Sequence, residues 1–102
     1  MIHVIATVEC VPGKKDEYLK IFKANLKAVR AEKGCIAYGP NVDTPSGIPI
    51  QPPMRADVVV ILETWESLDP LNAHLATPHM AAYREATRDM IKGVSLQVLK
   101  PA

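Results

Sequence analysis

The chain has 102 residues, 48% hydrophobic and 23% charged, which is enough for one compact domain spanning residues 1–102 around a single core. A formal net charge of +1 supplies no basic field of the kind that holds a phosphate backbone or an anionic bilayer, so nucleic acid is not an expected partner. The longest purely aliphatic run, Val58 to Leu62, is far short of a bilayer span, and no charged region precedes an apolar stretch at the start, so no membrane or export segment is expected.

Ile2 to Val11 is a β-branched run stopped by Pro12-Gly13 and reads as a first strand. From about Lys14 to Lys33 the residues Leu19, Phe22, Leu26 and Val29 recur at helical spacing, with Lys20, Lys23, Lys27 and Arg30 on the other side and Gly34 as the stop. The basic stripe is read as a solvated helix face, because Asp16, Glu17 and Glu32 are interspersed nearby. Cys35 to Asp43 reads as a second strand, bulged or at an edge because of Gly39-Pro40. Four of the nine prolines then fall between Thr44 and Met54, with Ile48, Ile50 and Met54 among them. This stiff loop is expected either to act as a lid or to plug the core with its apolar side chains.

Asp57 to Glu66 is the strongest strand, with Val58, Val60 and Leu62 on one face and Val59, Ile61 and Trp65 on the other. Ser67 or Asp69 can cap a short helix carrying Pro70, Leu71, His74 and Leu75. Thr77 caps the next, with Pro78 at its first position and Met80, Tyr83, Thr87 and Ile91 following at helical spacing up to Gly93. Val94 to Leu99 supplies a last strand.

The order β, α, β, β, split α, β predicts an α+β, ferredoxin-like (split βαβ) four-stranded antiparallel sheet with helices on one face. Val59, Ile61 and Trp65 are expected on the bare face, where apolar residues require a cover. A second copy of the chain is the expected cover, giving a homodimeric α+β barrel with a cavity between sheet and helices in each subunit.

Several residues in this frame can carry chemistry. Glu63 shares a face with Trp65, so it is either a buried scaffold carboxylate or a pocket group. His74 and His79 are separated by Thr77-Pro78 and fall on different helical segments, which removes the i, i+4 pair of a zinc protease; no metal is expected. His79 sits at a helix start, where unpaired N–H groups disfavour a protonated ring and suit a general base. Arg84 is a surface residue unless it turns inward to meet an anion. Tyr38 and Tyr83 pack in the core or hydrogen-bond an oxygenated ring. Cys10 and Cys35 lack disulfide-framework or zinc spacing, which fits a reducing cytoplasm.

The string Glu63-Thr64-Trp65-Glu66-Ser67, followed by Ala73-His74-Leu75-Ala76-Thr77-Pro78-His79-Met80, is similar to the signature of the antibiotic biosynthesis monooxygenase family. Gly34-Cys35, Tyr38, Pro40, Val42-Asp43, Gly47, Gln51 and Met54 resemble the corresponding stretch of that family's bacterial quinol monooxygenases. The resemblance implies a dimeric barrel that oxidises dihydroxy-aromatic compounds with molecular oxygen and without metal, flavin or haem. Such chemistry needs a base for a phenolic proton, a donor for the resulting anion and a dry flat cavity. On that likeness His79 or His74 is the base, Trp65 matches an active-site Trp, and Arg84 falls where polyketide-oxidising relatives place an Arg. Tyr38, Ile61, Glu63, Tyr83 and Met54 complete the expected substrate contacts. Ile61 stands where those relatives have an Asn, so their detailed mechanism does not carry over. Thr7 and Arg84 replace the Asn and His of haem-degrading members, which disfavours haem degradation. The expectation is therefore a cofactor-free oxidation of a hydroquinone by oxygen. An isomerase acting on a small phosphorylated ketone and a non-catalytic binding protein are the alternatives.

Overall fold

The computed structural model describes all residues from Met1 to Ala102. Its elements are β1 (Ile2–Cys10), α1 (Lys15–Ala24), α2 (Leu26–Arg30), β2 (Cys35–Asn41), β3 (Val58–Trp65), α3 (Leu68–Leu75), α4 (Pro78–Thr87) and β4 (Ile91–Leu99), with a 3-10 turn at Arg88–Met90. The strands form one antiparallel sheet in the order β2-β3-β1-β4, the ferredoxin-like arrangement expected from the sequence.

Register decides which side chains meet. Val4, Ala6 and Val8 pair with Glu63, Ile61 and Val59, and on the other side with Val98, Leu96 and Val94. Directly opposed residues share a face, so all of these point toward the helices. Val59, Ile61 and Trp65 therefore belong to the helix-covered face, not the bare one. The bare face carries Ile5, Thr7, Val60 and Leu62 instead. Both faces of β3 are apolar, and alternation alone does not say which one the helices cover.

The core fills with aromatics. Tyr18 and Phe22 of α1 and Val29 of α2 are buried against Tyr38, Val59 and Trp65. Phe22 stacks on Tyr38 with centroids 5.4 Å apart, and burying such a side chain contributes about 2–3 kcal/mol. The single helix expected from Lys14 to Lys33 is divided at Asn25. There the amide N–H turns to Phe22 O at 3.0 Å, and the side chain donates to Met80 Sδ at 3.6 Å. The last helix also stops earlier than the periodicity suggests: Ile91 opens β4 after the 3-10 turn.

The loop after β2 does not plug the core. Ile48, Ile50 and Met54 are exposed, Ile50 to 90%. Order comes from polar contacts within the loop. Arg55 clamps Asp43 through Nε at 2.9 Å and a terminal guanidinium nitrogen at 2.8 Å, Gln51 donates to Thr44 O at 2.9 Å, and Ser46 bonds Gln51. The Arg55 guanidinium holds the Asp43 carboxyl down at about 2.

Candidate active site

A cavity of about 250 Å³ opens between the sheet and the helices α3 and α4. Ala6, Val8, Tyr38, Ile61 and Glu63 line it from the sheet. His74, Leu75, Met80, Tyr83, Arg84 and Thr87 line it from the helical side, and Ile91, Val94 and Leu96 form a rim at the edge strand. The lining is mostly apolar with a few polar groups, as expected of a small-molecule site.

The polar groups are held by identifiable local structure. Thr77 caps α4, its hydroxyl accepting from Met80 N at 3.3 Å and donating to His74 O at 2.9 Å, so one residue fixes both the end of α3 and the start of α4. That corner brings His74 and His79 onto one carboxylate, both rings meeting its Oε2. Glu32, in the turn after α2, accepts from His74 Nδ1 at 2.9 Å and from His79 Nε2 at 2.7 Å. A carboxylate only accepts, so each ring must donate an N–H to it, which fixes the tautomers. In the neutral ring, His74 then carries its proton on Nδ1 and leaves Nε2 as a lone pair without a protein partner, on a ring that lines the cavity. His74 is itself buried, packed against Trp65 with centroids 4.8 Å apart and edge-on to Tyr38 at 5.5 Å.

Trp65 does not line the cavity. It is fully buried beneath His74, and its indole N–H donates to Glu63 Oε1 at 2.9 Å. Burial pushes the Glu63 carboxyl up, while the indole N–H and the nearby His74 pull it partly back. Burial likewise raises Tyr38 far above the usual phenol range, so its hydroxyl stays protonated; it has no hydrogen-bond partner in the protein. Tyr83, also raised by burial, is tied to the Tyr18 hydroxyl. Arg84 borders the cavity, but its guanidinium donates to Leu75 O.

His74, Tyr38, Ile61, Glu63, Tyr83 and Arg84 thus line one cavity, while three other candidates do not reach it. Trp65 lies under the cavity wall. His79, 29% exposed at its side chain, lines a separate surface groove with Ile21, Ala24 and Asn25. Met54 stays on the exposed loop, none of whose residues borders the cavity. Glu32 is the residue that sequence reasoning missed, having counted it only among the charges of a solvated helix. The signal was slight: a lone acid between Ala31 and Lys33, two residues before a helix-stopping glycine.

Residues 1–86 match the model of the family described as antibiotic biosynthesis monooxygenase. The chain belongs to that family. Membership makes it an oxidoreductase. Over 99% of its length it is 38% identical to a protein of Escherichia coli strain K12 described as "Probable quinol monooxygenase YgiN", covering 98% of that protein. Among solved structures it is similar to Rv0793 from Mycobacterium tuberculosis, with a TM-score of 0.81 and 24% identity over 99% of this chain and 94% of that one. PA3566 from Pseudomonas aeruginosa matches with a TM-score of 0.81 and 21% identity, covering 99% and 93% of the two chains. These two likenesses concern the fold. No helix is long and apolar enough to cross a membrane.

Proposed function

We propose that this chain oxidises a hydroquinone, such as a naphthohydroquinone, to its quinone with molecular oxygen, and that His74 is the general base. The observation that carries the reading is the buried Glu32–His74 pair, which leaves Nε2 of a cavity-lining ring free to take a proton. A phenolate gives up an electron to oxygen far more readily than a phenol, so removing the first hydroxyl proton is the step that needs the protein. The Glu32 carboxylate stabilises the imidazolium that forms, and His79 holds Glu32 through a second contact at Oε2. The protonated Tyr38 hydroxyl donates to the developing oxyanion, with Arg84 at the cavity border adding positive charge. Trp65 and Glu63 shape the wall beneath the reacting ring. In the balanced reaction, quinol and dioxygen give quinone and hydrogen peroxide, with two electrons and two protons passing to oxygen.

The name of the Escherichia coli relative supports the substrate class, and the largely apolar lining of the cavity suits a flat aromatic ring. Oxygen uptake by metal-chelated protein supplied with a chemically reduced naphthoquinone tests the reading. One dioxygen consumed per quinone formed, well above the spontaneous rate, is expected; no acceleration refutes it. A hydroxylated quinone and water in place of peroxide would identify oxygen insertion.

The same reading includes a homodimer in a reducing cytoplasm. Ile5, Val60 and Leu62 leave an apolar strip on the uncovered sheet face, and both cysteines are free. Light scattering should give about twice the chain mass of 11.2 kDa. A monomer at micromolar concentration would contradict this part.

A further inference from the structure

The cluster that orients His74 has a second chemical capability. Glu32 offers a carboxylate oxygen, His74 its Nδ1 and His79 its Nε2, and these three atoms all lie within 4.8 Å of one another. They come from three different segments: the turn after α2, the last turn of α3 and the first turn of α4. Two imidazoles and one carboxylate form the donor set of many sites for zinc and related first-row cations. The geometry points to a divalent-cation site at Glu32, His74 and His79, one that takes Zn²⁺ and thereby blocks the base.

Three observations support it. First, the spacing is close to what a metal requires. Ligands about 2.0–2.1 Å from a tetrahedral zinc stand roughly 3.3 Å apart, against 2.9 and 2.7 Å for the two nitrogen–oxygen pairs here. Opening each of these pairs by roughly half an ångström, and drawing together the two ring nitrogens, which lie within 4.8 Å of one another, is within reach of a turn residue and two side-chain torsions. Second, Glu32 is a largely buried carboxylate with no Lys or Arg partner, its ion-pair contacts being only the two histidines. A dication supplies the charge that two ring N–H groups do not. Third, His79 is partly exposed on a surface groove, which gives an ion a way in without crossing the substrate cavity.

The consequence for activity follows from the tautomers and rests on His74 being the base. A neutral imidazole bound to metal through Nδ1 keeps its one proton on Nε2. The nitrogen available to a substrate then donates and cannot accept. Each ring moves its proton from one nitrogen to the other, so the exchange balances without any external reagent.

Zinc titrations of untagged, chelator-stripped protein, followed by calorimetry and by competition with a chromophoric chelator, test the site without substrate or oxygen. One Zn²⁺ per chain with a dissociation constant on the order of micromolar or tighter is expected. Glu32→Gln and His79→Ala should each weaken it at least about tenfold. His3→Ala should leave it unchanged, because His3 bonds Thr64 on the bare face of the sheet. Co²⁺ should give the visible bands of a four-coordinate ion in wild-type protein and lose them in His79→Gln, a variant that keeps a polar side chain at that position. Zinc affinity that is absent, or indifferent to both Glu32 and His79, overturns the site. Zinc that binds there while oxygen uptake continues undiminished overturns the blockade, whereas the assignment of His74 as base stands or falls separately on the metal-free rate of His74→Ala.

Discussion

Replacing Glu32 by Gln probes the pair on which the chemistry depends while changing neither size nor shape. The carboxylate accepts from His74 Nδ1 at 2.9 Å and from His79 Nε2 at 2.7 Å, whereas an amide has one accepting and one donating end. With the amide N–H₂ toward His74, the ring proton moves to Nε2 and the base is lost. With the amide oxygen toward His74, the ring keeps its tautomer but loses the charge that stabilises the imidazolium. At roughly 4 Å between charge centres and an effective dielectric constant near 20, that interaction is worth about 4 kcal/mol, an upper bound of roughly a thousandfold in rate. Partial solvent screening lowers the expected loss in kcat to the order of a hundredfold or somewhat more, with KM little changed because Glu32 does not border the cavity. Oxygen-electrode rates with reduced naphthoquinone in the presence of chelator, corrected for spontaneous oxidation, measure it. A kcat within about threefold of wild type would refute the role of Glu32.

Tyr38→Phe removes the one cavity hydroxyl without a protein partner; kcat should fall on the order of tenfold while the fold, read by near-ultraviolet circular dichroism, is retained. Gly34→Ala should cost more than about 2 kcal/mol of stability. Gly34 has φ +84°, and an added Cβ would meet Pro70 Cβ at 2.4 Å, so the variant should melt roughly 8 °C or more below wild type. The Asp43 carboxyl is held at about 2 against its ordinary 3.8, chiefly by its hydrogen bonds to Arg55. A depressed carboxylate stabilises the loop at pH above 3.8, and that contribution is lost as pH falls toward 2. An NMR titration of Asp43 should show this value, and Arg55→Ala should return it toward 3.8.

How much of this was legible in the sequence follows from the range of the interactions involved. Thr77-Pro78 announces itself because a cap and a first-turn proline act within four residues, and the structure keeps both roles. The apolar alternation of β3 is equally local, but which face the helices cover depends on pairing with β1, so the sequence alone points Val59, Ile61 and Trp65 to the bare face and the register puts them on the covered one. Glu32 was harder still. Its partners lie 42 and 47 residues away, and their meeting requires the turn after α2 to dock against the α3–α4 corner. Thr77-Pro78 already separates the two histidines into different helical segments; only the fold shows that the corner turns them onto one carboxylate. Asn25 offered little warning of the helix break, because the Met80 sulfur it contacts comes 55 residues later.

The central claim is that His74 removes the phenolic proton, and the most direct measurement is the single-turnover rate of oxygen reduction in His74→Ala compared with His79→Ala, both free of metal. The account predicts a fall of a hundredfold or more for His74→Ala, toward the spontaneous rate, and about tenfold or less for His79→Ala, which only loosens the grip on Glu32. A fully active His74→Ala, or a reversal of that order, would contradict it.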